Sequence, residues 1–179
     1  MRKIGQIFRF LIPVIALAAL VVFLTGLGRR ERARLEKNKA IVVRYEEAVW
    51  SSRKQNWDVG DEIVPIDHVR HNPHDPIEGG IRSREALKQL VTQVLTAIPD
   101  FDFTGEFMIA EGDKVASFGT CTGTHTGTAW GIPPTGNEIN CIGVYIHRIA
   151  DGRVVETWAL DDSLTLFQQM GFKLVAAGE

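Results

Sequence analysis

Residues 138–160, EINCIGVYIHRIADGRVVETWAL, decide the fold of this chain. The Asp151-Gly152 pair is a strong β-hairpin signal, because both residue types tolerate the positive φ angles of a tight two-residue turn. On either side of it lie segments rich in β-branched and aromatic residues. We therefore predict two antiparallel strands, over 138–149 and 153–160.

The predicted turn also fixes which residues lie opposite each other. If Asp151 and Gly152 alone form the turn, the opposed pairs on one surface are Tyr145 with Trp158, His147 with Glu156, and Cys141 with Asp162. The other surface then carries Ile142, Val144, Ile146, Val155, Thr157 and Ala159. A surface that combines acids, a histidine and aromatic rings is typical of a ligand pocket.

Upstream of the hairpin, the hydrophobic spacing changes from helical to alternating. Helices are predicted from the charged connector to about residue 55, over 57–64, and from the N-cap Ser83 to Pro99. Two further strands are predicted over 101–109 and 114–128, and the Pro- and Gly-rich segment 65–81 is expected to be irregular. Helices followed by an antiparallel meander predict an α+β fold.

The N-terminal segment has a different character. Residues 10–28 carry no charge, and as a helix they would be roughly 28 Å long, close to the thickness of a bilayer core. We predict a basic tail over 1–9, a transmembrane anchor over 10–28, a charged connector over 29–37 and a folded domain over 38–179. A cleavable signal peptide is the alternative. Positive residues are more numerous after the span than before it, which favours a single-pass protein with a cytoplasmic domain.

The composition of the domain excludes some partners. From Asn38 onward the chain has twelve Lys and Arg against twenty Asp and Glu, and such an acidic domain is not expected to bind nucleic acid. Cys121 and Cys141 match no zinc spacing. His68, His71 and His74 are spaced by three, which places neighbouring imidazoles on opposite faces of a strand. We therefore expect no metal site.

Several segments in the right order resemble the SnoaL-like polyketide or ester cyclases of the nuclear transport factor 2-like superfamily. They are NKAIVVRYEEAVW (38–50), His-Asn-Pro (71–73), IPDFDFTGEFMIAEGDKVA (98–116), GTHTG (123–127), GIPPTG (131–136), HRIADGRVVETW (147–158), Asp162 and LFQQMG (166–171). The resemblance covers residues 38–171, and it implies a cone-like barrel in which helices close a curved antiparallel sheet around a pocket.

The resemblance also implies a chemistry. Characterised cyclases of the family close a ring by intramolecular aldol condensation, without metal or organic cofactor, and an aspartate acts as general acid/base. The pattern E-x-W-x-x-x-D places that aspartate on Asp162, whereas Asp161 stands where the family commonly has an aromatic residue. The histidine-proline motif of the family implies that His71 lines the pocket.

Each candidate residue has a simpler structural alternative. Asp162 is a predicted general base, but it is also a suitable N-cap for a closing helix. His147 opposite Glu156 is either a proton-transfer pair or an ordinary cross-strand pair. The predicted catalytic residues are Asp162 and His147, and the predicted substrate-binding residues are His71, His125, Tyr145, Glu156 and Trp158.

These features favour a cofactor-independent cyclase, lyase or isomerase that acts on a small apolar or carbonyl-containing ligand. The first alternative is a membrane-anchored module of the same fold that binds a ligand without turnover. The second is a structural role in which the apolar sheet face pairs two copies. A homodimer is expected through the face that carries Ile142, Val144, Ile146 and Val155, because the helices cover the opposite face.

Overall fold

The computed structural model describes residues 2–173 except 75, 76, 78, 79 and 129, with side chains described from Thr25 onward. The helices in this part of the chain are α1 (Arg2–Trp50), α2 (Trp57–Ile63), α3 (Arg84–Ala97) and α4 (Ser163–Gln169). The strands are β1 (Val69–His71), β2 (Asp102–Glu111), β3 (Lys114–Thr124), β4 (Glu138–Ala150) and β5 (Arg153–Asp161).

The chain divides into two compact units between Lys37 and Asn38. In the first unit, Arg34 forms an exposed ion pair with Glu31 at 2.7 Å. None of the helices in the described part of the chain meets the length and apolarity that a membrane crossing requires. Most of the predicted span, residues 10–24, lies outside the residues whose side chains are described, and the anchor stays a prediction.

The second unit is built around one five-stranded sheet of order β1-β5-β4-β3-β2. Strands β2 to β5 form the predicted antiparallel meander, and the α+β prediction is confirmed. Strand β1 pairs in parallel with β5, and His71 lies opposite Trp158. This short strand falls in the segment predicted to be irregular, so the sheet is mixed rather than purely antiparallel.

The predicted register of the hairpin is correct only beside the turn. Ala150 pairs with Arg153, but a bulge between Arg148 and Ile149 shifts every later pair by one residue. Beyond it, Tyr145 lies opposite Ala159, His147 opposite Thr157, Ile146 opposite Trp158, and Arg148 opposite Glu156. The extra residue of the bulge is Val155, and it exchanges the two faces of β5 relative to the prediction.

Local sequence signals explain where the helices begin and end. Ser83 is the N-cap of α3 as predicted, and its Oγ accepts a hydrogen bond from the backbone N–H of Ala86 at 3.1 Å. Helix α1 ends at Trp50, five residues earlier than predicted, because the chain turns and the Ser52 N–H donates to the Phe101 carbonyl at 2.9 Å.

The helices cover one side of the sheet, which we call the inner face. Two clusters of buried side chains fill this space, one around α1 and the start of α3, the other around the end of α3, α4 and the β3–β4 pair. The other side, the outer face, leaves apolar side chains exposed: Phe107, Ile109, Ile142, Val144, Ile146 and Leu160. A cavity lies between the two clusters on the inner face.

Candidate active site

The cavity has a volume of about 190 Å³ and is lined by residues of α1, α3, α4 and the inner face of the sheet. Most of its lining is apolar or aromatic, and Leu90, Val94, Phe103 and Leu166 are typical members. Polar side chains on it come from several different elements and include Glu46, Arg70, Asn72, Tyr145, His147 and Asp161. An apolar cavity with a few convergent polar groups is the usual form of a small-molecule site.

Asp161 is the acidic group at one end of the cavity. Its Oδ1 accepts a hydrogen bond from the Tyr145 hydroxyl, and its Oδ2 accepts one from the Asn72 amide at 3.0 Å. The Arg70 guanidinium lies 3.5 Å from the same Oδ2, and its side chain is only 4% exposed. Because the carboxylate is partly buried, these donors and the neighbouring cation offset the cost of removing its charge from water.

Asp162 occupies the N-cap position that the sequence offered as its structural alternative. It follows the last residue of β5 and is the N-cap of α4, where its Oδ1 accepts a hydrogen bond from the Thr165 N–H at 3.1 Å. Hydrogen bonds from Thr165 lower the pKa of Asp162. Among the described residues that line the cavity, the acid from this pair is Asp161.

The Tyr145 hydroxyl can reach Asp161 because Gly143 has no side chain to occupy the space that the tyrosine ring takes. A Cβ built on Gly143 would lie 2.5 Å from the Tyr145 hydroxyl oxygen, so the ring folds back into space that only glycine leaves open. The pKa of Tyr145 is raised well above its usual value. Burial is the largest cause, and the nearby Cys121 and Asp161 add to it. Tyr145 therefore stays protonated and acts as a hydrogen-bond donor at neutral pH.

His147 is buried on the inner face, two residues further along β4 from Tyr145. Its Nδ1 lies 3.1 Å from the Thr157 hydroxyl, and its Nε2 lies 3.8 Å from Oε1 of Glu46 on α1. Burial lowers the pKa of His147, and Glu46 partly offsets this effect. The predicted pair with Glu156 is wrong, because the bulge places Thr157 opposite His147.

Glu156, Trp158 and His71 lie together on the outer face rather than in the cavity. The His71 Nε2 is 2.8 Å from Glu156, and the imidazole stacks on Trp158 with ring centroids 5.2 Å apart. Hydrogen bonds from His71 and Arg148 lower the pKa of Glu156. The register shift accounts for this placement, since it turns the even-numbered residues of β5 beyond the bulge, from Glu156 onward, to the outer face.

His125 packs within the loops that follow β3. It is fully buried, its Nδ1 lies 3.0 Å from the Thr135 hydroxyl, and its backbone N–H donates to the Asn137 carbonyl at 2.9 Å. Among the described residues, the cavity lining does not include it. The GTHTG and GIPPTG segments thus contact each other through His125.

Cys121 and Cys141 lie directly opposite each other on β3 and β4, a pairing that the sequence did not reveal. Both thiols are free and face the cavity, and the Cys121 Sγ is 3.6 Å from the Tyr145 hydroxyl. Their mutual contact raises the pKa of Cys121 and lowers that of Cys141.

Three polar residues of the cavity were missed as candidates from the sequence. Glu46 follows Tyr45 on α1, and two adjacent glutamates there indicate only a solvated helix face. Arg70 and Asn72 belong to β1 and the residue after it, in the segment predicted to be irregular. The sequence signal for Arg70 and Asn72 is their position, since a cation and an amide lie beside the histidine-proline motif.

Helices that close one face of a curved mixed sheet around an apolar cavity define an NTF2-like pocket protein. The sequence model of the SnoaL-like polyketide cyclases matches residues 40–170, and the chain belongs to this family. No curated protein matches the chain.

Solved structures of similar proteins agree with this family. One is IdmH of Streptomyces antibioticus, a proposed polyketide cyclase, with 26% identity, a TM-score of 0.64, and coverage of 75% of this chain and 99% of that one. A proposed polyketide cyclase of Acidithiobacillus ferrooxidans shares 30% identity with a TM-score of 0.65 and coverage of 75% and 94%. AclR of Streptomyces galilaeus, a proposed hydroxylase, shares 25% identity with a TM-score of 0.65 and coverage of 80% and 87%.

Proposed function

We propose that this protein is a cyclase- or isomerase-type enzyme that removes a proton next to the carbonyl group of a small apolar substrate. The observation that carries the proposal is the partly buried Asp161 carboxylate, which lies in an apolar cavity with the Tyr145 hydroxyl on one of its oxygens. Membership of the SnoaL-like polyketide cyclases supports the reaction class.

The arrangement suggests how the groups share the reaction. Asp161 accepts the proton, so that the C–H bond breaks and its electron pair moves onto the carbonyl oxygen as an enolate. Once Asp161 is protonated it no longer needs the hydrogen bond from Tyr145, which then turns its hydroxyl to the enolate oxygen. Arg70, 3.5 Å from the carboxylate, keeps a positive charge beside these groups throughout. In a ring closure, the enolate carbon attacks a second carbonyl and Asp161 returns its proton to the new alkoxide.

The test needs only a simple ketone. Acetylnaphthalene is incubated with the full chain in heavy water, and NMR follows the replacement of its methyl protons by deuterium. Asp161→Asn is expected to slow this exchange by roughly 10²–10⁴-fold, the usual contribution of a general base. Asp162→Asn is the matched control and is expected to exchange at the wild-type rate, because asparagine is an equally good N-cap.

The control also separates the two neighbouring acids. Loss of exchange in Asp162→Asn, with Asp161→Asn unaffected, would return the role to the residue that the E-x-W-x-x-x-D pattern selects. If the wild-type protein binds acetylnaphthalene but exchanges no protons, the ligand-binding module without turnover becomes the better proposal.

We also propose that the outer face of the sheet forms a homodimer interface. The exposed apolar side chains on it come from three of the five strands, β2, β4 and β5, and an exposed apolar surface of this kind usually marks a protein–protein contact. Ile146→Asp on this face is expected to give a monomer by sedimentation, whereas Ile66→Asp, at an exposed isoleucine outside the sheet, is the control. A dimer that persists in Ile146→Asp would refute this interface.

A membrane anchor over residues 10–28 is proposed from the uncharged apolar run in the sequence. The full chain is then expected to remain with membranes in carbonate and to be released by detergent. Extraction by carbonate alone would contradict the anchor.

A further inference from the structure

Glu46 and His147 form a second polar group in the cavity, separate from the group around Asp161. Their side chains are only 8% and 2% exposed, and both line the cavity. Within the described part of the chain, Glu46 Oε1 and His147 Nε2 have no hydrogen-bond partner. The 3.8 Å between them is too long for a direct hydrogen bond. Two buried polar atoms therefore lack a partner, which is costly unless a third group supplies one.

A chain of hydrogen bonds assigns the proton of His147 to Nε2. The indole of Trp50 can only donate, and it does so to the Tyr45 hydroxyl at 3.2 Å. Tyr45 in turn contacts Thr157, whose hydroxyl lies 3.1 Å from Nδ1 of His147. If each hydroxyl accepts from one neighbour and donates to the next, Thr157 donates to Nδ1. The neutral imidazole then carries its proton on Nε2, which faces Glu46.

The gap between the two atoms fits one oxygen. An oxygen about 2.8 Å from each atom can bridge them, since 3.8 Å is less than twice that distance. This oxygen must accept a hydrogen bond from Nε2–H and donate one to the Glu46 carboxylate. A hydroxyl group does both, whereas a ketone or ether oxygen only accepts.

We propose that Glu46 and His147 form a subsite that binds a hydroxyl group of the substrate. The proposal rests on the proposed function, in which the carbonyl group lies at Asp161. Asp161 pairs with Gly143, and His147 is four residues further along β4, so their backbone positions are separated by roughly 13 Å along the strand at its usual rise. The substrate class is therefore a carbonyl compound that carries an alcohol, phenol or enol at its far end.

Three probes of nearly equal shape test the subsite by titration calorimetry with the full chain. They are acetylnaphthol, with the hydroxyl on the ring remote from the acetyl group, its methyl ether, and acetylnaphthalene. We expect acetylnaphthol to bind about tenfold more tightly than the other two, because only its hydroxyl can bridge Glu46 and His147 with a charge-assisted hydrogen bond. Glu46→Gln is expected to reduce this preference to less than about threefold.

Glu47→Gln is the matched control, since Glu47 is the next residue on α1 and its exposed side chain pairs with Lys54. It should keep the full preference. Independently of any variant, the ¹⁵N NMR signals of His147 should show protonated Nε2 and unprotonated Nδ1, and acetylnaphthol should shift the Nε2 signal most. Equal affinity for the three probes, or no binding of acetylnaphthol, would overturn the subsite and leave water as the bridging group.

The same samples distinguish this proposal from the proposed function. All three probes carry the acetyl group, so deuterium exchange reports on Asp161 whether or not the hydroxyl is recognised. Exchange without a hydroxyl preference would refute only the subsite. A hydroxyl preference without exchange would refute only the catalytic role of Asp161.

Discussion

Acid is expected to destabilise the domain through one buried histidine, His68. Its side chain is inaccessible to solvent, and its Nδ1 donates a hydrogen bond to the Val154 carbonyl at 2.9 Å. Burial lowers the pKa of His68 from 6.5 to about 4, against the opposing effect of this hydrogen bond. The folded protein therefore keeps His68 neutral at a pH where the unfolded chain has already bound a proton.

The sign and size of the effect follow from these two values. Above pH 6.5 the imidazole is neutral in both states, and the stability is fully present; it decreases as the pH falls from 6.5 to about 4, and then levels off. His68 binds a proton less tightly in the folded protein than in the unfolded chain, and this difference corresponds to a loss of about 3 kcal/mol in the free energy of unfolding.

Urea unfolding of the wild type and of His68→Asn, at several pH values between about 7 and 4, measures this contribution. Asparagine can still donate to the Val154 carbonyl but does not titrate, so the variant should lose about 3 kcal/mol less over this range. Carboxylates that titrate there contribute equally to both proteins and cancel in the difference. Parallel pH profiles, or an NMR titration of His68 with a pKa near 6.5, would refute the reasoning.

Two further predictions concern the cavity and its border. Gly143→Ala should preserve the fold but strongly reduce deuterium exchange, because the new Cβ would displace the Tyr145 ring from Asp161; wild-type exchange in this variant would contradict that placement. Asp162→Ala should lower the urea midpoint by removing the acceptor for the Thr165 N–H, whereas Asp162→Asn should not. Equal midpoints for the two variants would show that the cap contributes nothing.

Features encoded by neighbouring residues were predicted well. Ser83 begins α3, and the Asp151-Gly152 turn joins β4 to β5, because a cap and a tight turn depend on residues only a few positions apart. Alternation along β4 also placed Tyr145 and His147 on the same face, and the structure places both in the cavity lining.

Features that depend on distant residues were not predictable in this way. Strand β1 has three residues, and its partner β5 lies more than eighty residues further along the chain, so no local pattern marks it. The residues around Val155 carry no glycine or other signal of a bulge. As a result, Trp158 and Glu156 were assigned to the cavity but lie on the outer face, and the acid that lines the cavity is Asp161 rather than Asp162.

The bulge at Val155 also affects how residues can be transferred between relatives. Val155 is an extra, unpaired residue between the turn and the two neighbouring acids. If the same residues paired without a bulge, Val155 would lie opposite Arg148 and Trp158 opposite Tyr145. A relative that pairs in this way would present the opposite face of the strand to its cavity. Alignment by the E-x-W-x-x-x-D pattern therefore identifies equivalent acids only among relatives that share the bulge, because the bulge decides which of two neighbouring acids faces the cavity.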